Sequence, residues 1–162
     1  MILRFTEKLS KKLKTGPITK VERDPGPFLE WYAYLFSANR TQYILVTEAK
    51  SLLSVVMYGR GVVDDNIFIN HFLSFLREYL DEKGNRLIFE RVIAPNSSQI
   101  IISKTTSRSV LGSMNDMVSM SKFTLQRKDV SPMYLTERIN KTPFKAIGYQ
   151  SPLEAFGNLK VK

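Results

Sequence analysis

A chain of 162 residues that is 43% hydrophobic and 11% aromatic is long enough to bury one real core, so a single domain spanning 1–162 is expected. It contains no cysteine, which excludes disulfides, thiol nucleophiles and cysteine-ligated zinc, and its only histidine, His71, excludes a histidine-rich metal site. The formal net charge is +9, and it is unevenly placed. Residues 1–20 hold six Lys/Arg against one acid, residues 121–162 hold eight against three, and the middle hundred are nearly neutral. Such an excess predicts a surface for nucleic acid or another polyanion, with solvated, solubilising charge as the plainer alternative. No apolar run approaches the ~20 residues that span a bilayer. The opening residues interleave lysines with apolar side chains, unlike a secretory signal. A cytoplasmic protein with no membrane partner is expected.

Residues 1–5 read as a short strand, followed by a helix over 7–14 that Thr6 caps and Gly16-Pro17 stops. Residues 16–28, with Gly16, Pro17, Pro25, Gly26 and Pro27, form a loop. Aromatic and β-branched runs at 31–37, 42–47 and 52–58 predict three strands. Their short connections at Asn39-Arg40 and 48–50 favour an antiparallel meander. Asp64 or Asp65 caps a helix to about Lys83, closed by Gly84, with Phe68, Phe72, Phe75, Leu76, Tyr79 and Leu80 on one broad face. Residues 86–94 and 99–104 read as two further strands. A second long helix is expected over 107–127, its Val110, Leu111, Met114, Met117, Val118 and Leu125 on one side. Ser131-Pro132 and Ser151-Pro152 each open a short helix, the last one stopped by Gly157. Clustered strands with short turns predict an α+β fold: a mainly antiparallel sheet of five to six strands, two long helices and short C-terminal helices.

Few residues carry an obvious chemistry. The segment 103–117 combines hydroxyls, Lys104 and Arg108, a mid-helix Gly112, and Ser113, Asn115 and Asp116. The glycine costs a helix about 1 kcal/mol, which suggests a close approach there by backbone or ligand. The hydroxyls near the helix start suit an anion. Tyr58-Gly59-Arg60-Gly61 offers an anion-binding turn, with Arg40 as a further cation, but matches neither a phosphate loop nor a dinucleotide fingerprint. Glu90 and Arg91 alternate in an expected strand, so one of them should be buried and partnered, Glu90 by Arg40, Arg60 or Lys104. Glu90 and Asp116 are the acid/base candidates for an enzyme. A nuclease site from Asp64, Glu90 and Lys104 lacks the Glu-x-Lys spacing. His71 sits at the polar edge of its helix. Trp31, Tyr32 and Tyr34 read as core rather than as base-stacking rings. No metal site and no cofactor are expected.

Several blocks together resemble an uncharacterised bacterial family, classed as a domain of unknown function. They are MILRFTEKLSKKLK at 1–14, NRTQYILV at 39–46, SVVMYGRG at 54–61, ERVIAP at 90–95 and RSVLGSMNDM at 108–117. The resemblance implies a small bacterial cytoplasmic α+β protein. It supplies no activity, so no catalytic residue is carried over. It places Arg40, Tyr58, Arg60, Glu90, Arg91, Arg108, Ser113, Asn115 and Asp116 in the family pattern.

Three functions remain open. The first is a binding domain for nucleic acid, with Lys8, Lys11, Lys12 and Lys14 on phosphates and Arg40, Arg60 and Arg108 positioning the ligand. The second is a small enzyme acting on a phosphorylated or nucleotide substrate, which requires Glu90, Arg91, Arg108 and Asp116 in one cavity. The third is a protein-interaction module of a toxin–antitoxin or phage-defence system, which requires a broad exposed apolar patch.

Overall fold

The structure is a computed structural model and describes residues 1–161; Lys162, counted in the C-terminal charge, lies outside them. The chain is α+β. Its five strands are β1 (Ile2–Phe5), β2 (Glu30–Ala38), β3 (Thr41–Glu48), β4 (Ser54–Tyr58) and β5 (Ile101–Lys104). They form one sheet in the order β4-β3-β2-β1-β5. The 30–58 segment is the antiparallel meander that its short connections require. The sheet as a whole is mixed rather than mainly antiparallel, because β1 pairs in parallel with both β2 and β5. Parallel neighbours need crossovers, and those crossovers are the helices.

Both faces of the sheet are covered, and the two buried clusters follow the strand period of two. One face sets Leu3, Trp31, Ala33, Ile44, Val46 and Val55 against α1 (Glu7–Leu13) and α2 (Asp65–Glu82). The other sets Tyr32, Leu45 and Val56 against α5 (Arg108–Arg127) and α6 (Pro132–Asn140). Four helices have a side-chain cap: Asp64 accepts from Ile67 N–H, Ser107 from Val110 N–H, Ser131 from Tyr134 N–H and Ser151 from Glu154 N–H. Thr6 stands at the start of α1 but makes no capping hydrogen bond. The last helix, α7 (Pro152–Asn158), runs through Gly157 rather than stopping there.

Residues 86–94 are not a strand. Residues 86–96 form one helical segment: α3 (Arg86–Ile88), a π-helical stretch Phe89–Ile93, and α4 (Ala94–Asn96). Phe89 and Ile93, four apart, are buried against the α2 side of the sheet. Ile88 and Val92 pack against the same cluster, and four apolar residues at i, i+1, i+4 and i+5 share a face only on a helix, so burial overrides the β-propensity of Ile, Phe and Val. Pro95 has no N–H and its ring crowds the carbonyl one turn earlier, which a widened π turn relieves. The Asn96 side-chain amide donates to Val92 C=O at 2.7 Å.

Two charged side chains are fully interior. Arg4, 2% exposed, lies between Tyr32 and Ser103 on the sheet. It donates to Glu30 Oε1, Ser103 Oγ and the carbonyls of Val21, Arg23 and Lys104. This network fastens the 16–28 loop onto the β1–β5 side of the sheet. Glu48 accepts from Phe28 N–H, Lys50 N–H, Ser51 N–H and Ser51 Oγ–H and so closes the β3–β4 turn. Burial pushes its carboxyl up, against the four donors that favour the anion.

Candidate anion-binding site

Strands β1, β2, β4 and β5 all finish at the same end of the sheet, where β3 begins. Concave sites gather at the carboxyl ends of strands because the connections there diverge to opposite faces. The β2–β3 connection is two residues, Asn39 and Arg40, with φ of 51° and 62°. Both lie in the left-handed region, as a type I′ hairpin turn demands. Asn39 tolerates that region, and its side-chain amide is anchored on Leu125 C=O. Arg40 is an exposed residue held in a backbone that glycine would adopt more easily.

Beside this turn the end of β4 supplies Tyr58 and Arg60. Gly59 N–H donates to Gln42 C=O at 2.8 Å, and a Cβ at Gly59 would sit 3.1 Å from Gln42 Cβ. The close approach holds Tyr58 and Arg60 against the start of β3. A cavity of about 810 Å³ results, lined by Lys12, Arg40, Thr41, Gln42, Tyr58, Arg60 and Gly61. Its lining has three cations and no carboxylate. Lys12 Nζ donates to Gln42 Oε1 at 2.8 Å. Tyr58 is half exposed and continues a row of rings in cross-strand register. Phe36 and Tyr43 stack at 5.3 Å, and Tyr43 meets Tyr58 at 5.6 Å. Burial first, then Tyr58 and Asp129, push the Tyr43 phenol up.

Two neighbouring cavities extend the basic surface. One of about 680 Å³ runs along β2 beyond the last β1 pairing at Ala33, between Lys8 and Lys11 of α1 and Lys122 of α5. Lys11 is shared with another, of about 520 Å³, that Lys104 also lines. Lys11 pairs with Glu7 at 3.1 Å in an exposed contact that weakens its charge little. On the far side of Tyr58 and Arg60 lies a cavity of about 510 Å³ with His71, Ser74, Glu78 and Met133. Lys14 is exposed at the end of α1.

The candidates thus divide. Arg40, Tyr58, Arg60 and Lys12 meet in one cavity, and Lys8, Lys11 and Lys104 line the adjoining ones. The others stand apart. Glu90 and Arg91 are both exposed on the 86–96 segment, so neither is the buried strand residue expected. Glu90 pairs with Arg86 at 2.6 Å, which holds its carboxyl below the ordinary value. Asp116 is exposed on α5, across the sheet from Glu90. Arg108 is exposed at the start of α5. Ser113 is buried on the packed side of α5, and Asn115 accepts a hydrogen bond from Tyr34 Oη at 2.8 Å. Gly112 has no close neighbour: a Cβ placed there would stand in open space. The hydroxyls before α5 serve the fold: Thr106 meets Tyr32 Oη and Ser107 caps the helix. Trp31 and Tyr32 are buried, as read. No helix among the described residues is long and apolar enough to cross a membrane, and none of their acidic or histidine side chains form a metal-holding cluster.

The fold and this end of the sheet define an α+β protein with a mixed five-stranded sheet, layered by helices on both faces, and a cationic cavity at its strand ends. The chain belongs to the family described as a domain of unknown function (DUF6933), whose model matches residues 2–155. No curated protein and no solved structure matches it.

Proposed function

We propose that this is a nucleic-acid-binding domain whose phosphate contacts centre on Lys12, Arg40 and Arg60. The observation that carries the reading is the cavity at the β2–β3 turn, with three cations in its lining and no carboxylate. Lys8, Lys11, Lys104 and Lys122 on the adjoining cavities lengthen the surface in the way that a polyanion, rather than one small anion, uses. The N-terminal excess contributes less than its count, since Arg4 is interior. The alternative enzyme reading needs Glu90 and Asp116 together. Their positions on opposite sides of the sheet give it no support.

The test is fluorescence anisotropy with labelled single-stranded and duplex oligonucleotides at about 50 and 200 mM salt. Each phosphate contact contributes roughly 0.7–0.9 to the slope of log affinity against log salt. Three contacts alone therefore weaken binding by about 20- to 40-fold over that range. The triple variant Lys12→Gln, Arg40→Gly, Arg60→Gln is expected to remove about 2–3 from the slope. A slope unchanged in that variant places the contacts elsewhere. No binding of either nucleic acid at 50 mM salt leaves the charge to solubility and ends the proposal.

A further inference from the structure

The strand-end cavity offers more than charge, and its second feature selects among nucleic acids. Resting on the reading above, we infer that the site takes single-stranded nucleic acid, with an unstacked base lying on Tyr58 and the flanking phosphates held by Lys12, Arg40 and Arg60. Tyr58 is a large aromatic ring left 50% exposed at the mouth of the cavity, with Arg60 two residues on. It is backed rather than loose: Tyr43 lies behind it at 5.6 Å and 31°, and Phe36 stacks behind Tyr43 at 16°. The three occupy directly paired positions of β2, β3 and β4, so the sheet fixes the row. Phe36 and Tyr43 are each only 5% exposed, which leaves Tyr58 as the ring of the row open to a ligand.

Duplex DNA and RNA keep their bases stacked inside and offer such a ring nothing. A groove is read by a projecting helix or β-ribbon. Here the hairpin tip is tied back to α5 through Asn39, so it does not project. A single strand presents base faces and backbone charge at alternating positions. An aromatic platform beside cations matches that alternation whatever the sequence. The cavity, about 810 Å³, is of the size that encloses one small ligand or a single splayed nucleotide rather than a helix.

The test compares a labelled 12-nucleotide single strand, the same strand as a duplex, and an abasic strand of equal length, all at about 50 mM salt. The single strand is expected to bind at least tenfold more tightly than the duplex. Tyr58→Ala is expected to weaken single-strand binding roughly 5- to 150-fold, the range of one lost base–aromatic stack. Tyr58→Phe keeps the ring and should bind as the parent does. The abasic strand should bind parent and Tyr58→Ala alike, which a merely structural effect of the substitution would not produce. Circular dichroism checks that both variants fold. Equal or tighter duplex binding, or a Tyr58→Ala variant that binds the single strand unchanged, overturns the stacking inference while salt-dependent binding leaves the nucleic-acid reading standing. No binding of any strand overturns both.

Discussion

Glu48 is the residue whose environment is most demanding. Its two carboxylate oxygens face three backbone N–H groups and one hydroxyl, and the side chain itself has no solvent access. Glu48→Gln keeps the shape but replaces one acceptor by an NH2 group that must face a backbone donor. The loss expected is about 1–3 kcal/mol, read as a lower midpoint in urea at unchanged slope. A variant as stable as the parent would mean that the turn rearranges around the amide. The sequence did not reveal Glu48 or Arg4 as interior, since a buried charge depends on partners far along the chain. Arg4 meets Ser103 and the carbonyls of Val21 and Arg23. One sign was present: Ile2, Leu3 and Phe5 leave β1 no polar face, the mark of a strand buried on both sides. On such a strand Arg4 has nowhere to point but inward. The cavity residues were more legible. Arg40 and Tyr58-Gly59-Arg60-Gly61 stand at turn signals, where side chains are exposed, although their meeting depends on strand register.

Among the elements, α6 has a task that its amphipathic pattern hides. β4 is an edge strand, and its outward backbone groups are met by side chains of this helix. Asn140 accepts from Ser54 N–H and donates to Ser54 C=O, and Thr136 Oγ1 accepts from Val56 N–H. Residues 136 and 140 are one helical turn apart, which lets them follow alternate residues of the strand. Asn140 also donates to Tyr79 Oη, whose phenol burial pushes up to about 12. The arrangement covers an edge that would otherwise invite pairing with another chain. Asn140→Ala leaves two buried backbone groups of Ser54 unpaired and is expected to cost about 2–4 kcal/mol. The measurement is urea unfolding alongside Thr136→Val, which orphans only Val56 N–H and should cost about half as much. Light scattering should also rise earlier in the Asn140 variant on heating. The helix itself was legible from Ser131-Pro132, but its bond to β4 was not, because a polar residue on a helix reads locally as solvated. The 86–96 segment misled for a related reason. Its composition favours a strand, while Ile88, Phe89, Val92 and Ile93, apolar at i, i+1, i+4 and i+5, already carried the helical period.

Across the whole molecule, charge does more than surround the fold. The C-terminal excess is partly spent inside an ion-paired junction between layers. Lys83, just after α2 on one face of the sheet, reaches Glu137 of α6 at 2.7 Å, and Lys141 meets the same carboxylate at 3.1 Å. Burial alone would raise the Glu137 carboxyl, but the two ammonium groups beside it hold it below the ordinary value. A folded-state value below the unfolded one, about 4.3, stabilises the protein above that pH. The contribution is then lost as pH falls through the folded value. Glu48 acts in the opposite sense: its raised carboxyl favours the fold most below the unfolded value and progressively less as pH rises. The acid-side loss should therefore trace to Glu137 and not to Glu48. In thermal melts from pH 6 to pH 3, Glu137→Gln is expected to be less stable than the parent at pH 6, by about 0.5–2 kcal/mol for a part-exposed pair. The two curves should begin to approach each other below about pH 4.3, the unfolded-state value, and should meet only once the pH has fallen through the lower folded-state value. Parallel curves across that range would mean that Lys83 and Lys141 give Glu137 no net stabilisation, leaving apolar packing, the Asn140–Tyr79 hydrogen bond and the bonds of Asn140 and Thr136 to β4 to join the layers.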